Sequence, residues 1–87
     1  MSFNLEQNYT NPFNTCTSIT WQLAKNSKVT LKVIDIVGRT LATLVDGQRP
    51  QGKYETRFDA AQLPKGIYFS QLKAGDFSQT RKMILLE

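Results

Sequence analysis

The chain has 87 residues, with 11 Lys and Arg against 7 Asp and Glu, no histidine and one cysteine. This is enough for one domain with a small core and a formal charge of +4, with little material to spare for a catalytic pocket. A zinc site wants about four N or S ligands, and a Ser or Cys nucleophile wants a histidine partner, so neither chemistry can be assembled from these residues.

Residues 1–16 form an entry segment, and the run "NYTNPFNTCT", Asn8 to Thr17, has no helical or strand periodicity. Asn11-Pro12 favours an extended backbone that then turns, and Tyr9 and Phe13 can staple the segment to the body of the domain. After Asn14 the pattern alternates with period two. In "TSITWQL", Ile19, Trp21 and Leu23 share one face while Ser18, Thr20 and Gln22 share the other, which is a half-buried strand. "KVTLKVIDI" repeats the device with Val29, Leu31 and Val33 inward, rich in β-branched residues. In "DIVGR", Asp35 caps a type I turn and Gly38 takes the left-handed conformation after it, closing a hairpin into "RTLATLV". "DGQRPQGK" then reads as a Gly/Pro connection that cannot continue a strand.

Next, "KYETRFD" sets Tyr54, Thr56 and Phe58 against Lys53, Glu55, Arg57 and Asp59. "DAAQLPKG" is a second connection. The helical spacing of "FDAAQL" is stopped by Pro64. "GIYFSQLK" and "FSQTRKMILL" flank Gly75-Asp76, a two-residue hairpin signal. Tyr68, Ser70 and Leu72 should face the core, and Ile67 and Phe69 should face outward or cover an edge. "LPKGIY" suits the corner in which a tyrosine hydroxyl, here that of Tyr68, bonds back to the backbone between two sheets. Six strands and a short seventh from the opening segment predict an all-β fold over residues 1–87. It is an antiparallel immunoglobulin-like or fibronectin III-like β-sandwich of about seven strands, with the sandwich proper over residues 17–87. Ile19, Trp21, Leu31, Val33, Phe58, Tyr68 and Leu72 are expected in its core.

Several functions recede on composition. Cys16 reads as a small surface or half-buried residue and leaves the redox compartment open. Asp35, Asp46, Asp59 and Asp76 sit beside turns and offer at most weak calcium ligands, so no tightly bound metal or cofactor is expected. Basic residues are spread over nearly every segment without an aromatic-basic cluster, which argues for a solvated surface rather than a nucleic-acid site. Weak, salt-sensitive attraction to anionic polymers is compatible with that surface. The longest apolar run, Met83 to Leu86, is far too short to cross a bilayer, and the N-terminus lacks a basic-plus-apolar signal peptide. Export would need a signal on a longer parent chain, with Met1 and Ser2 as an added start.

In chain order, "LEQNYTNPFN", "TSITWQL", "VTLKVIDIVGRTLATLVDG", "LPKGIYFSQLKAGDF" and "QTRKMILLE" resemble the C-terminal sorting domain of the type IX (Por) secretion system of Bacteroidetes, type A. The resemblance covers almost the whole chain. It rests on Asn11, Pro12 and Phe13, on Asp35, Gly38 and Arg39, then on Gly66, Tyr68, Gly75, Lys82 and the final apolar strand. Thr10 stands where the family often has proline, Ile34 where it often has tyrosine, and Glu87 where a basic residue is frequent. The resemblance implies an immunoglobulin-like, non-enzymatic targeting module at the end of a larger secreted protein, leading its covalently linked N-terminal cargo to the cell surface or medium. The implied partners are an outer-membrane translocon and a sortase-like peptidase that removes the domain in many members. The candidates for the sorting signal are Gly66, Tyr68, Gly75, Lys82, Ile84 and Leu86, in the final hairpin. Two rival readings are an accessory module gripping carbohydrate or protein through Trp21, Tyr54 or Phe77, and a flagellar hook-capping-like immunoglobulin-like domain. The phase of Trp21 and Tyr54 argues against the first. The "NYTNPFN" opening and "KMILLE" ending argue against the second.

Overall fold

In the computed structural model, residues 2–86 are described. Met1 and Glu87, including the position where the family often carries a basic residue, lie outside the described residues. Seven strands succeed one another: β1 (Asn4–Leu5), β2 (Cys16–Leu23), β3 (Ser27–Ile34), β4 (Thr40–Arg49), β5 (Gly52–Asp59), β6 (Gly66–Ala74) and β7 (Phe77–Leu85). They form two antiparallel sheets, β1-β2-β5 and β4-β3-β6-β7, packed face to face as a sandwich. The described residues contain no helix, and "FDAAQL" ends in a turn closed by the Leu63 amide on the Ala60 carbonyl at 3.0 Å.

The period-two strands bury the faces that the sequence assigns to them. Ile19, Trp21, Leu31, Val33, Phe58, Tyr68 and Leu72 all lie in the core. Leu5, Phe13, Leu23, Val29, Val45, Met83 and Leu85 join them. Trp21 is sealed in, its indole N–H donating to Thr56 Oγ1 at 3.0 Å and its ring stacked on Tyr54 with centroids 4.4 Å apart. Ser70 also faces inward, and its buried hydroxyl has no hydrogen-bond partner. The Tyr68 hydroxyl donates to the Pro64 carbonyl, so the corner between the sheets forms as expected.

Two expectations need correction. The stretch "DGQRPQGK" does not end β4 at Asp46, because β4 stays paired with β3 as far as Arg49, opposite Ser27. Only Pro50 and Gln51 separate it from β5. Gly47 sits within the strand at φ 147°, a conformation open to glycine, so this residue extends the strand where a turn was expected. The second correction concerns Tyr9. Its backbone bonds Ser18 in both directions at 2.9 Å, but its ring is 80% exposed and staples nothing. Of the two aromatics only Phe13 anchors the segment, at 2% exposure.

Candidate recognition surface

The terminal hairpin is built by local rules. Ala74 pairs with Phe77 across the two residues Gly75-Asp76, and Gly75 takes φ 59° where a two-residue turn needs a residue free of a Cβ. In β7, Met83 and Leu85 point into the core, whereas Lys82, Ile84 and Leu86 lie on the outer side of the four-stranded sheet. The four apolar residues at the end of the chain thus split into two that close the core and two that do not. Ile84 sits beside Ile67 across the ladder, and Lys82 beside Phe69.

β7 is an edge strand, and the opening segment covers its upper half as a strap. The Phe13 amide donates to the Ile84 carbonyl at 2.9 Å and the Leu86 amide donates to the Phe13 carbonyl at 2.7 Å. Side chains fill the neighbouring places. Asn11 Oδ1 accepts from the Ile84 amide at 2.9 Å, and Gln7 Nε2 donates to the Lys82 carbonyl at 2.5 Å. Buried Asn8 holds the strap in shape by donating to the Thr10 carbonyl and to Thr17 Oγ1, both at 3.0 Å. Lower down, the Leu5 amide donates to Gln79 Oε1 and Arg81 Nε donates to the Leu5 carbonyl. A segment rich in Asn and Gln therefore plugs a sheet edge, with the backbone of Phe13 and the side-chain amides of Gln7 and Asn11 sharing the places a strand would fill with backbone alone. The edge from Lys82 to Leu86 is consequently closed to an added strand, and what this strand leaves available is its outer face.

The Asp35 turn stands at the same end of the sandwich. Asp35 Oδ1 accepts from the Val37 and Arg39 amides at 3.0 and 2.9 Å, and Arg39 Nε donates to Asp35 Oδ2 at 2.8 Å. Gly38, at φ 89°, donates its amide to the Asp35 carbonyl. Desolvation works against ionisation of the Asp35 carboxyl. The hydrogen bonds and positive charge of Arg39, with the Val37 amide, outweigh it and hold the pKa below the ordinary aspartate value.

Not all the sequence-selected residues come together. Gly66 and Tyr68 line a cleft of about 330 Å³ with Asp35 and Arg39, so the "DIVGR" and "LPKGIY" stretches meet there. Lys82, Ile84 and Leu86 flank that end through β7, and Asn11 and Phe13 hold β7 from its edge. Gly75 lies at the opposite end, where the two-residue turn closes the hairpin, and Pro12 is exposed on the strap. Tyr68 presents its ring to the core. Sequence reasoning missed Ile36, Val37 and Leu41, which are exposed at this end. Leu41 sits at a register shift between β3 and β4, where an extra residue breaks the two-residue period that would have placed it.

Of the three aromatics offered for a binding module, Trp21 is withdrawn into the core, while Tyr54 and Phe77 are half-buried. Trp21 is buried beneath Tyr54, and Phe77 stacks on Phe3 with centroids 5.3 Å apart. Among the described residues no three His, Cys, Asp or Glu side chains gather as a metal-ligand group, and no helix is long and apolar enough to cross a membrane. A search of curated proteins returns no match. A family model described as the secretion system C-terminal sorting domain matches residues 7–86, a span that holds the strap, both hairpins and all of β2 to β7. The chain therefore belongs to the C-terminal sorting domains of type IX secretion, targeting modules that mark proteins for export to the cell surface or medium.

Proposed function

We propose that the chain is a single non-catalytic module of a larger secreted protein, and that its signal is read from the outer face of the terminal hairpin by the outer-membrane translocon. The observation that carries this reading is the split of β7. Met83 and Leu85 are buried, while Ile84 is only half-buried and Leu86 is 48% exposed, beside exposed Lys82. A one-sided strand of a two-layer sandwich gains little in stability from apolar residues on its wet face. A cross-strand pair such as Ile84 with Ile67 adds about 0.2–1 kcal/mol, so the larger contribution of these residues is to contact with another body. Gly66 and Gly75 shape the hairpin and Tyr68 anchors it to the corner. Asn11, Pro12 and Phe13 bring the chain from the cargo side onto β7. A sortase-like peptidase that detaches the domain would act on the chain ahead of this strap.

The test fuses a signal peptide and a fluorescent reporter to the domain in a host that has the secretion system. Deleting residues 83–87 would remove two core side chains and confound export with folding. The informative variant carries Lys82→Ala, Ile84→Ser and Leu86→Ser together, with a thermal melt on the same protein. Reporter retained in the cell with an unchanged melt is the expected result. A folded variant secreted at the parental level would overturn the reading.

A further inference from the structure

The ladders of the four-stranded sheet gather lysines that lie far apart in the sequence. Outward side chains of neighbouring strands line up in rows across this sheet. Lys28 of β3 stands in the first row, opposite Gln48, and Lys73 of β6 in the second, opposite Thr30. Lys32 of β3 follows in the third, opposite Gln71, and Lys82 of β7 in the fourth, opposite Phe69. Each row thus holds one lysine. Rows are two residues apart, about 6.7 Å, so the four lysines rise from the sheet in a zigzag file about 20 Å long.

This charge is free. Among the described residues none of the four ammonium groups has an ion-pair or hydrogen-bond partner. Lys28, Lys73 and Lys82 are exposed and Lys32 is half-buried. Within the rows there is one carboxylate, Asp46, opposite Thr30, and it pairs with none of the lysines. Asp76 stands in the turn below the first row, and Asp35 beyond the last has both oxygens engaged by its own turn. Glu87 lies outside the described residues. Like charges on adjacent strands repel, and an anionic ligand lying along the file would relieve that repulsion.

The form of the file selects among anions. Cations occupy β3, β6 and β7, whereas β4 sets Thr43, Asp46 and Gln48 outward, so an anionic plane laid over the whole face would meet a carboxylate on one side. A linear chain over β3 and β6 passes it by. Between the lysines the first three rows carry hydroxyls and amides, those of Thr30, Gln71, Ser78 and Thr80, and no apolar side chain. Such rows offer an acidic protein segment nothing to bury and a nucleic acid no ring to stack on, but they match a chain of hydroxyls that bears carboxylates.

We infer that this face binds an extended acidic polysaccharide, its carboxylates seated on Lys28, Lys73, Lys32 and Lys82 and its hydroxyls bonded to the polar side chains between them. The site needs none of the aromatics considered for a sugar grip, and it is independent of the sorting reading. Its affinity is electrostatic and falls as salt rises.

The test titrates the 87-residue chain with polygalacturonate in low salt by calorimetry, with a thermal melt on every variant. Lys32→Gln with Lys73→Gln, which leaves Lys82 in place, should weaken binding by about tenfold with the melt unchanged. Lys32→Arg with Lys73→Arg should keep it. Lys53→Gln with Arg57→Gln removes the same charge from exposed positions on the other sheet and should leave binding near the parental level. Absence of binding to polygalacturonate would overturn the inference, as would equal binding to neutral dextran. An equal loss in the Lys53/Arg57 variant would reduce the effect to net charge. Tighter binding to polyglutamate, or to phosphatidylglycerol vesicles, that is lost in the Lys32/Lys73 variant would also overturn it, since the file would then be reading a protein or a membrane.

Discussion

Phe13→Ala probes whether the strap is part of the folded core or only a tether. The ring is 2% exposed, and its backbone makes two hydrogen bonds to β7, at 2.9 and 2.7 Å. Truncating a buried Phe to Ala costs about 3–5 kcal/mol, through lost transfer energy and the cavity left behind. If the strap then lifts, the two backbone bonds exchange with water at a further cost of about 0.5–1.5 kcal/mol each. A domain of this size has roughly 5–15 kcal/mol in all, so the variant should lose about a fifth of its stability or more. At about 4–8 °C per kcal/mol, the melting temperature should drop by at least about 12 °C. Urea unfolding of both proteins gives the free-energy difference from the midpoints at a common slope. Amide hydrogen exchange at Ile84 and Leu86, whose N–H groups meet the strap, should accelerate beyond what the global loss explains. A loss under about 1 kcal/mol, with the Leu86 amide still protected, would reduce the strap to a tether.

Trp21→Ala should cost about 3–5 kcal/mol in the same urea assay, and a loss below about 1 kcal/mol would return the ring to the surface-ligand reading. Ser70→Ala should stabilise the domain by about 1 kcal/mol, because it removes a buried hydroxyl that has no partner, and a destabilised variant would reveal a partner for it. Asp35 stabilises the fold through its lowered pKa. That contribution is fully present above the ordinary value of 3.8 and is lost as pH falls through the lower folded value. Urea midpoints of the parent and Asp35→Asn should therefore converge as pH drops below 3.8, and a separation that stays constant down to about pH 2 would contradict the assignment.

Regular strands were legible in the sequence wherever one face is wet and the other buried. The alternation in β2 and β3 placed Ile19, Trp21, Leu31 and Val33 correctly, and Gly38 and Gly75 marked both hairpins because each turn requires positive φ. Legibility failed where pairing departs from the two-residue rule. Leu41 at its register shift carries no periodic signature, and Gly47 looks like a turn although a paired edge strand runs through it. The strap was opaque for another reason. Only Phe13 bonds β7 through its backbone, the side chains of Gln7 and Asn11 make the other two bonds, and such a mixture leaves no alternation for a pattern to detect. The proposed recognition surface was half visible. Lys82, Ile84 and Leu86 stood out as apolar surplus beside a charge, while Ile36 and Val37 looked like an ordinary turn until the fold set them on the same side as β7.

If export is encoded on the outer face of β7, three side chains that contribute nothing to the core should control it. The direct measurement is the fraction of a fluorescent reporter found outside the cell when it carries the intact domain or the folded Lys82→Ala, Ile84→Ser, Leu86→Ser variant, in the same host and at matched expression. The intact fusion should be exported and the variant retained with an unaltered melting temperature. Equal export of the two would place the signal elsewhere on the domain.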